Sequence, residues 1–410
     1  MSHQYPGSTF SFPEAIKRRN IHMRKIIAST LVLLLILSSF AGCGGGGDST
    51  ENIIKVGVFE PVTGENGGGG FQEVLGIRYA NTVYPTVEIG GETYTVQLVE
   101  VDNKSDKTEA VTAAQRLISE GVSAVIGSYG SGVSIAAGAI FAEAQVPAVG
   151  ASCTNPQVTA GNDYYFRVCF LDPFQGTVMA NYAFQNGAQT AAVITQLGDD
   201  YSSGLGSYFV QAFNELAGEG AVVSEQQFQT NQTDFKALLT NIKAENPDVI
   251  FAPSSITTAP LIIKQARELG ITCPIMGGDT WENATIIENA GADAEGIVLS
   301  TFFDEAEPAT DEAASFISGF KAYLVENNQD EIIPAVAALG YDAYLTVLEA
   351  IRQADSADSI AIRDALPGIS IEGVTGAISF DANGDANKDM AFIKTVQDGQ
   401  FKFLMNVSVE

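Results

Sequence analysis

Histidine is almost missing from this 410-residue chain, and the two present, His3 and His22, lie ahead of a hydrophobic leader. Without an imidazole downstream, serine-histidine and cysteine-histidine catalysis and histidine metal ligation are excluded there, which leaves carboxylate, lysine or tyrosine chemistry. Positive charge is scarce too: 21 Lys and Arg stand against 49 Asp and Glu, a net charge of −28. Residues 1–42 hold five of the bases (Lys17, Arg18, Arg19, Arg24, Lys25) and one acid (Glu14), so residues 43–410 carry 16 bases against 48 acids, net −32. Such a field repels phosphate backbones and argues against a nucleic-acid partner. Cysteine is limited to Cys43, Cys153, Cys169 and Cys273. A Cys153–Cys169 disulfide is open to an exported chain, with plain apolar packing the alternative.

Long hydrophobic runs are absent except for one. STLVLLLILSS follows Arg24 and Lys25 and ends at FAGC, with Ala41 and Gly42 just before Cys43. A spanning helix needs ~20 apolar residues, and this run is shorter. Basic start, apolar middle and small residues before a cut site are the pattern of a secretory signal. FAGC resembles the lipobox of bacterial lipoproteins, with Phe40 where leucine is usual. That resemblance implies export, acylation of the Cys43 sulfur, and cleavage that makes Cys43 the first residue. Residues 1–42 are therefore read as a leader, with 1–22 upstream of a start at Met23, and 43–52 as a flexible, lipid-anchored tether whose glycines have nothing apolar to bury.

The remaining ~360 residues exceed what one hydrophobic core usually serves, so two lobes are expected. Short β-branched runs (IIKVGVF, YTVQLVEV, SAVIGS, VPAVGAS, then TAAVITQL, AVVSEQQF, DVIFAPS, CPIMGG) alternate with amphipathic stretches, the rhythm of parallel sheets wrapped by helices. In KTEAVTAAQRLISEG, residues Ala110, Ala113, Ala114, Leu117 and Ile118 recur at three and four, and Gly121 is placed to end that helix. The series from Thr190 repeats the first. Long helices are expected near 310–327 and 335–353, followed by short strands and tight turns to the end.

Three stretches invite a site. DANGDANKD (381–389) begins like a calcium loop but has Ala386 at position six and Phe392 at position twelve, so Asn383-Gly384 reads as a hairpin turn. NGGGGF (66–71) lacks the G-K-[ST] of a phosphate cradle and reads as a flexible rim loop. IGSYGSGVSIAAGAIFAEAQVPAVGASCTNP carries more. A strand ending at Ile126 opens into a helix through Gly and Ser, and a second strand ends at Ala151, followed by Ser152, Cys153 and Thr154. Amides and hydroxyls at the carboxyl edge of a parallel sheet suit an anion, although serines there also serve as helix caps.

FEPVTG, GSYGSG, AQVPAVGASCTNPQVT, YFRVCFLDPFQG, GDDYSSGLG, TDFKALLTNIKAENPDVIF, IIKQARELGI, MGGDTWEN, AEGIV and GYDAY, in that order over residues 53–410, resemble the periplasmic branched-chain amino-acid binding proteins of ABC importers. Their colinearity carries the resemblance. It implies an α/β chain of the type I periplasmic binding protein fold: two doubly wound parallel-sheet lobes joined by a three-crossing hinge. Lobe 1 would be 53–171 with 303–372, and lobe 2 would be 172–302 with 373–410. By position, Ser131, Ser152 and Thr154 would hold a ligand's carboxylate and ammonium, with Tyr129 beside them. Tyr201 would be the aromatic contributed by the second lobe, and Asp279 the acid that pairs with the ammonium. Glu65 and Ser255 stand near places where the family often has aromatics, so the side-chain pocket is expected to be more polar than a leucine pocket. Trp281 is expected either as an apolar wall of that pocket or as packing within the second lobe, and Asp279 has the alternative of a helix N-cap.

These readings imply a solute-binding lipoprotein, not an enzyme, with no cofactor or metal. It would act as a monomer on the outer face of the cytoplasmic membrane. It would pass a branched-chain or other hydrophobic or neutral amino acid to ABC permease subunits. The alternatives are a small amide, urea or aromatic carboxylate as ligand, a sensing module of a signalling assembly, or a carboxylate-dependent hydrolase.

Overall fold

The computed structural model describes residues 52–408; the expected leader, Cys43 and nearly all of the expected tether lie outside the described residues. In the first half, strands β1 (Ile53–Glu60), β2 (Thr86–Ile89), β3 (Glu92–Asp102), β4 (Ala124–Ile126), β5 (Ala148–Gly150) and β6 (Tyr165–Arg167) form one sheet in the order β2-β3-β1-β4-β5-β6. All neighbours are parallel except β2 with β3. In the second half, β7 (Ala191–Gln196), β8 (Val222–Phe228), β9 (Val249–Phe251), β10 (Ile275–Gly277) and β11 (Val298–Thr301) are parallel in the order β8-β7-β9-β10-β11. A small hairpin, β12 (Ser370–Gly373) with β13 (Gly376–Ser379), precedes β14 (Met390–Gln397) and β15 (Gln400–Ser408), which extend the second sheet antiparallel beyond β11. The five parallel strands of each half share one winding order, as the repeated sequence rhythm requires.

Strands such as β4, β5 and β9 are buried along their whole length because helices cover both sheet faces, which is why they read as unbroken apolar runs. The helix Lys107–Ser119 buries Ala110, Ala113, Ala114 and Leu117 as spaced, is capped by Asp106 accepting from the amides of Thr108 and Glu109, and ends at Gly121 with φ +73°. The two expected long helices are Asp311–Glu326 and Ala335–Ala354. No helix of the described residues is long and apolar enough to cross a membrane. Cys153 and Cys169 are free and fully buried, so apolar packing describes them.

One expectation fails. Gly67–Gly70 do not form a flexible rim loop; they begin the helix Gly67–Val83. A side chain at Gly69 would strike the Tyr129 ring, and one at Gly70 would strike the Pro61 carbonyl. The run is glycine because this first turn lies against the loops that follow β1 and β4, a close approach that only a missing Cβ permits. DANGDANKD does turn at Asp381–Gly384, with Asp381 accepting from the amides of Asn383 and Asp385.

The chain passes between the sheets three times: after β6, after β11 and after β13. The expected change of lobe at 372/373 falls inside the β12–β13 hairpin. Each passage is pinned by a buried polar cluster. Arg167 at the end of β6 pairs with Asp385 at 2.6 Å. Lys394 on β14 is held by Glu282 and by Asp304 at 2.9 Å. Asp342 accepts from the amides of Val374 and Thr375 at 2.6 and 2.8 Å, and Lys388 donates to the Thr375 carbonyl at 2.9 Å.

Candidate functional site

In each sheet the first parallel strand lies between the next two parallel strands, β1 between β3 and β4 and β7 between β8 and β9, so chain segments leave its carboxyl end toward opposite faces and open a crevice there. The two crevices face each other. Pro61 and Asn66 after β1, Tyr129, Gly130, Ser131, Gly132 and Val133 after β4, and Ser152 after β5 line one wall. Asp199 and Tyr201 after β7, Ser255 after β9, and Asp279 and Thr280 after β10 line the other, with Ser105 and Lys107 at the mouth.

The walls touch directly. Lys107 bonds Asp200 at 2.7 Å and the Gly198 carbonyl at 3.1 Å, and Asn155 donates to the Asp200 carbonyl at 2.7 Å. Gln196 donates to Glu65 at 3.3 Å, and Asn283 to Gln72 at 3.3 Å. The cleft is thus closed, with glycines making room: a Cβ on Gly204 would come within 2.5 Å of Asn155 Nδ2.

Of the expected residues, Tyr129, Ser131, Ser152, Tyr201, Ser255 and Asp279 all face this cleft. Ser131 opens the helix Ser131–Glu143 but does not cap it; its Oγ accepts from the Asn155 amide at 3.1 Å, and no side chain caps that helix. Asp279 is no N-cap either. Asn283 caps the following helix, while Asp279 Oδ1 accepts from Tyr201 Oη at 2.9 Å and Gln175 Nε2 at 2.8 Å. Burial pushes the Asp279 carboxyl up to about 6, against the pull of those two donors.

Three expected residues stand elsewhere. Thr154 is buried beside Asp172, whose carboxyl burial pushes up to about 8 against the opposing pull of the Thr154 hydroxyl. Glu65 sits at the rim on Gln196. Trp281 belongs to the core of the second half, its ring fully buried against Gly277, so it packs its own half and does not wall the cleft.

Sequence reasoning missed Glu73, Gln175 and Glu60. Glu73 lies on the buried face of Gly67–Val83 with Gly69, Gly70, Val74 and Ile77, and its Oε1 accepts from Ser152 Oγ. An acid on an otherwise apolar and glycine face was the available signal. Glu60 ends β1 and accepts from the Tyr129 amide at 2.7 Å. Gln175 bridges Asp279 and Ser300 Oγ, the latter at 2.9 Å.

With this geometry in place, similarity to known proteins is informative. A sequence model described as periplasmic binding protein matches residues 53–400. The chain is 27% identical over 366 residues to Leu/Ile/Val-binding protein homolog 1 of Brucella abortus, covering 88% of this chain and 94% of that protein. Among solved structures, the leucine binding protein LivK of Thermotoga maritima is 35% identical with a TM-score of 0.80, over 87% of this chain and 99% of that one. LivJ of Streptococcus pneumoniae, a branched-chain amino acid transporter substrate binding protein solved with isoleucine, is 30% identical with a TM-score of 0.78, over the same shares.

Proposed function

Because the chain belongs to the periplasmic binding protein family, whose members bind solutes outside the cytoplasm, we propose that it captures an amino acid between its two lobes and delivers it to an ABC permease. The observation that carries this reading is the pairing of opposite head-group chemistry across one closed cleft. On one wall, Gly130 to Val133 begin a helix with no capping side chain and no acid in its first turn, a place that favours a carboxylate. On the other, Asp279 is held by Tyr201 and Gln175 and can meet an ammonium. A zwitterion leaving water needs both.

The mechanism is hinge closure. Ligand that touches both walls lowers the free energy of the closed state alone, so its binding shifts the population from open to closed. No bond is made or broken, and release at the permease follows reopening. Cys43 would be the acylated anchor; labelling of the expressed protein with radioactive palmitate that survives Cys43→Ser would refute that part.

Thermal unfolding of refolded, ligand-stripped protein against all amino acids tests the capture reading. Ligand at ~100 times its dissociation constant stabilises by ~2.7 kcal/mol, a shift easily read. Asp279→Ala is expected to abolish most of that shift. A panel in which no amino acid raises the melting temperature would end the reading.

A further inference from the structure

Asn66 lines the cleft with an amide oxygen that nothing meets: its Oδ1 is buried and has no hydrogen-bond partner. A buried polar atom left in that state is costly unless an occupant bonds it. The residue stands at the N-cap of the helix Gly67–Val83, a position where an asparagine side chain ordinarily accepts from the first amides of its helix. That use is absent, for no side chain caps this helix. The amides of Gly69 and Gly70 donate instead to the Asn66 main-chain carbonyl, at 3.0 and 3.2 Å. The Asn66 amide is committed as well, donating to Ser105 Oγ at 3.1 Å. The main chain of Asn66 therefore serves the fold, while its carboxamide oxygen is left for whatever fills the cleft.

The turn that carries Asn66 lies where the two walls meet. Glu65 beside it accepts from Gln196 of the other wall at 3.3 Å. A Cβ on Gly68 would meet Asn283 Nδ2 at 3.4 Å and Ile256 Cδ1 at 4.0 Å, so the first turn of the helix faces the loop after β9. Ser255, the residue before Ile256, lines the cleft from that loop. Its hydroxyl donates to Thr258 Oγ1 at 3.0 Å and lies 3.2 Å from Thr257 Oγ1. With its one proton spent on Thr258, Ser255 Oγ offers the cleft an acceptor and no donor. Of the lining residues, only Pro61 and Val133 bring aliphatic side chains. The closed cleft encloses about 60 Å³, room for ~4–6 waters at ~10–15 Å³ each. A short, hydrogen-bonding side chain suits that space, and a bulky aliphatic one does not.

We propose that Asn66 is a specificity-determining residue whose carboxamide bonds the side chain of the ligand, so that the cleft takes amino acids with a short hydroxyl or carboxamide side chain ahead of the branched aliphatic ones. This rests on the capture reading above and adds to it a residue and a ligand class, represented by serine, threonine and asparagine. A ligand hydroxyl can donate to Asn66 Oδ1, and a ligand carboxamide has two N–H groups, one for Asn66 Oδ1 and one for Ser255 Oγ. An aliphatic side chain of equal size offers neither, and closure over it seals an unpaired amide into the cleft. Rejection of a ligand that leaves the site's own polar groups unpaired is far steeper than rejection of one methylene more or less.

The test is isothermal titration of refolded, ligand-stripped wild type and Asn66→Leu with L-serine, L-threonine, L-asparagine, L-valine and L-leucine. Threonine and valine form the decisive pair, since they match in shape and differ by a hydroxyl for a methyl. Circular dichroism confirms that the variant is folded. Wild type is expected to bind L-threonine at least about tenfold more tightly than L-valine, and Asn66→Leu should reduce that ratio at least about tenfold. The ratio is the readout because damage to the helix start or to closure would weaken both ligands alike. A threonine-to-valine ratio in Asn66→Leu within twofold of wild type overturns the proposal and leaves the capture reading intact. So does an aliphatic amino acid as the tightest ligand of wild type. Failure of every amino acid to bind wild type overturns both. Should Asn66→Leu fail to fold, the wild-type ratio decides, equal affinity for threonine and valine counting against Asn66.

Discussion

Replacing Arg167 with methionine should destabilise the protein far more than its distance from solvent chemistry suggests. Its side chain is completely buried. Nε pairs with Asp385 at 2.6 Å, Nη1 donates to the carbonyls of Cys153 and Asn155 at 2.7 and 2.5 Å, and Nη2 donates to Thr159 Oγ1 at 3.0 Å. Methionine fills similar space but strands a buried carboxylate and two carbonyls. Removing one partner of a buried ion pair costs ~3–5 kcal/mol, and the stranded acceptors place this case in the upper half of that range. With a urea m value of about 3 kcal/mol/M, the unfolding midpoint should fall by more than about 1 M. Arg167→Met combined with Asp385→Asn should cost about 2 kcal/mol less than the sum of the single changes, because the orphan charge is gone. Far-UV circular dichroism follows the whole chain, and fluorescence of Trp281, the sole tryptophan and a core residue of the second half, follows that half. An Arg167→Met variant within about 1 kcal/mol of wild type, or a double variant whose cost is simply additive, would refute the idea that this cluster pins the first crossing.

Gly204→Ala should act with opposite signs on stability and closure. Alanine favours the helix Asp200–Ala217 by up to ~1 kcal/mol, yet its Cβ would push against Asn155, the residue that links the walls through the Asp200 carbonyl. Small-angle scattering should report a larger radius of gyration with ligand present, at an equal or higher melting temperature; unchanged closure would contradict it. Asp172→Asn should alter the pH dependence of stability. Burial raises the folded Asp172 to about 8, above its unfolded value of about 3.9, so the folded state binds the extra proton and that contribution is present below pH ~4 and lost as pH rises toward 8. The melting temperature of Asp172→Asn relative to wild type should therefore climb from pH 4.5 to 8, and a flat difference would show that Asp172 is ionised when folded.

The alternation of strands and helices, the two long helices and the turn at Gly384 were legible in residue order, because each depends on local periodicity or on one residue's backbone freedom. Six residues of the cleft came from the resemblance, carried over by position; the strand-end pattern of a parallel sheet pointed by itself only to the neighbourhood of Ser131 and Ser152. Gly67–Gly70 were misread because such a run, isolated from its neighbours, looks slack, and only the nearness of Tyr129 and Pro61 makes Gly69 and Gly70 obligatory in a helix. Trp281 turned inward because the second half's core offered it full burial. Glu73 met Ser152 across 79 positions of sequence, and its altered acidity comes first from desolvation, a quantity that exists only once the chain is packed. Sequence by itself determined the two-part α/β architecture and which edge would bind; the tertiary structure decided which side chains meet there, because hydrogen bonds and charge act through space and not along the chain.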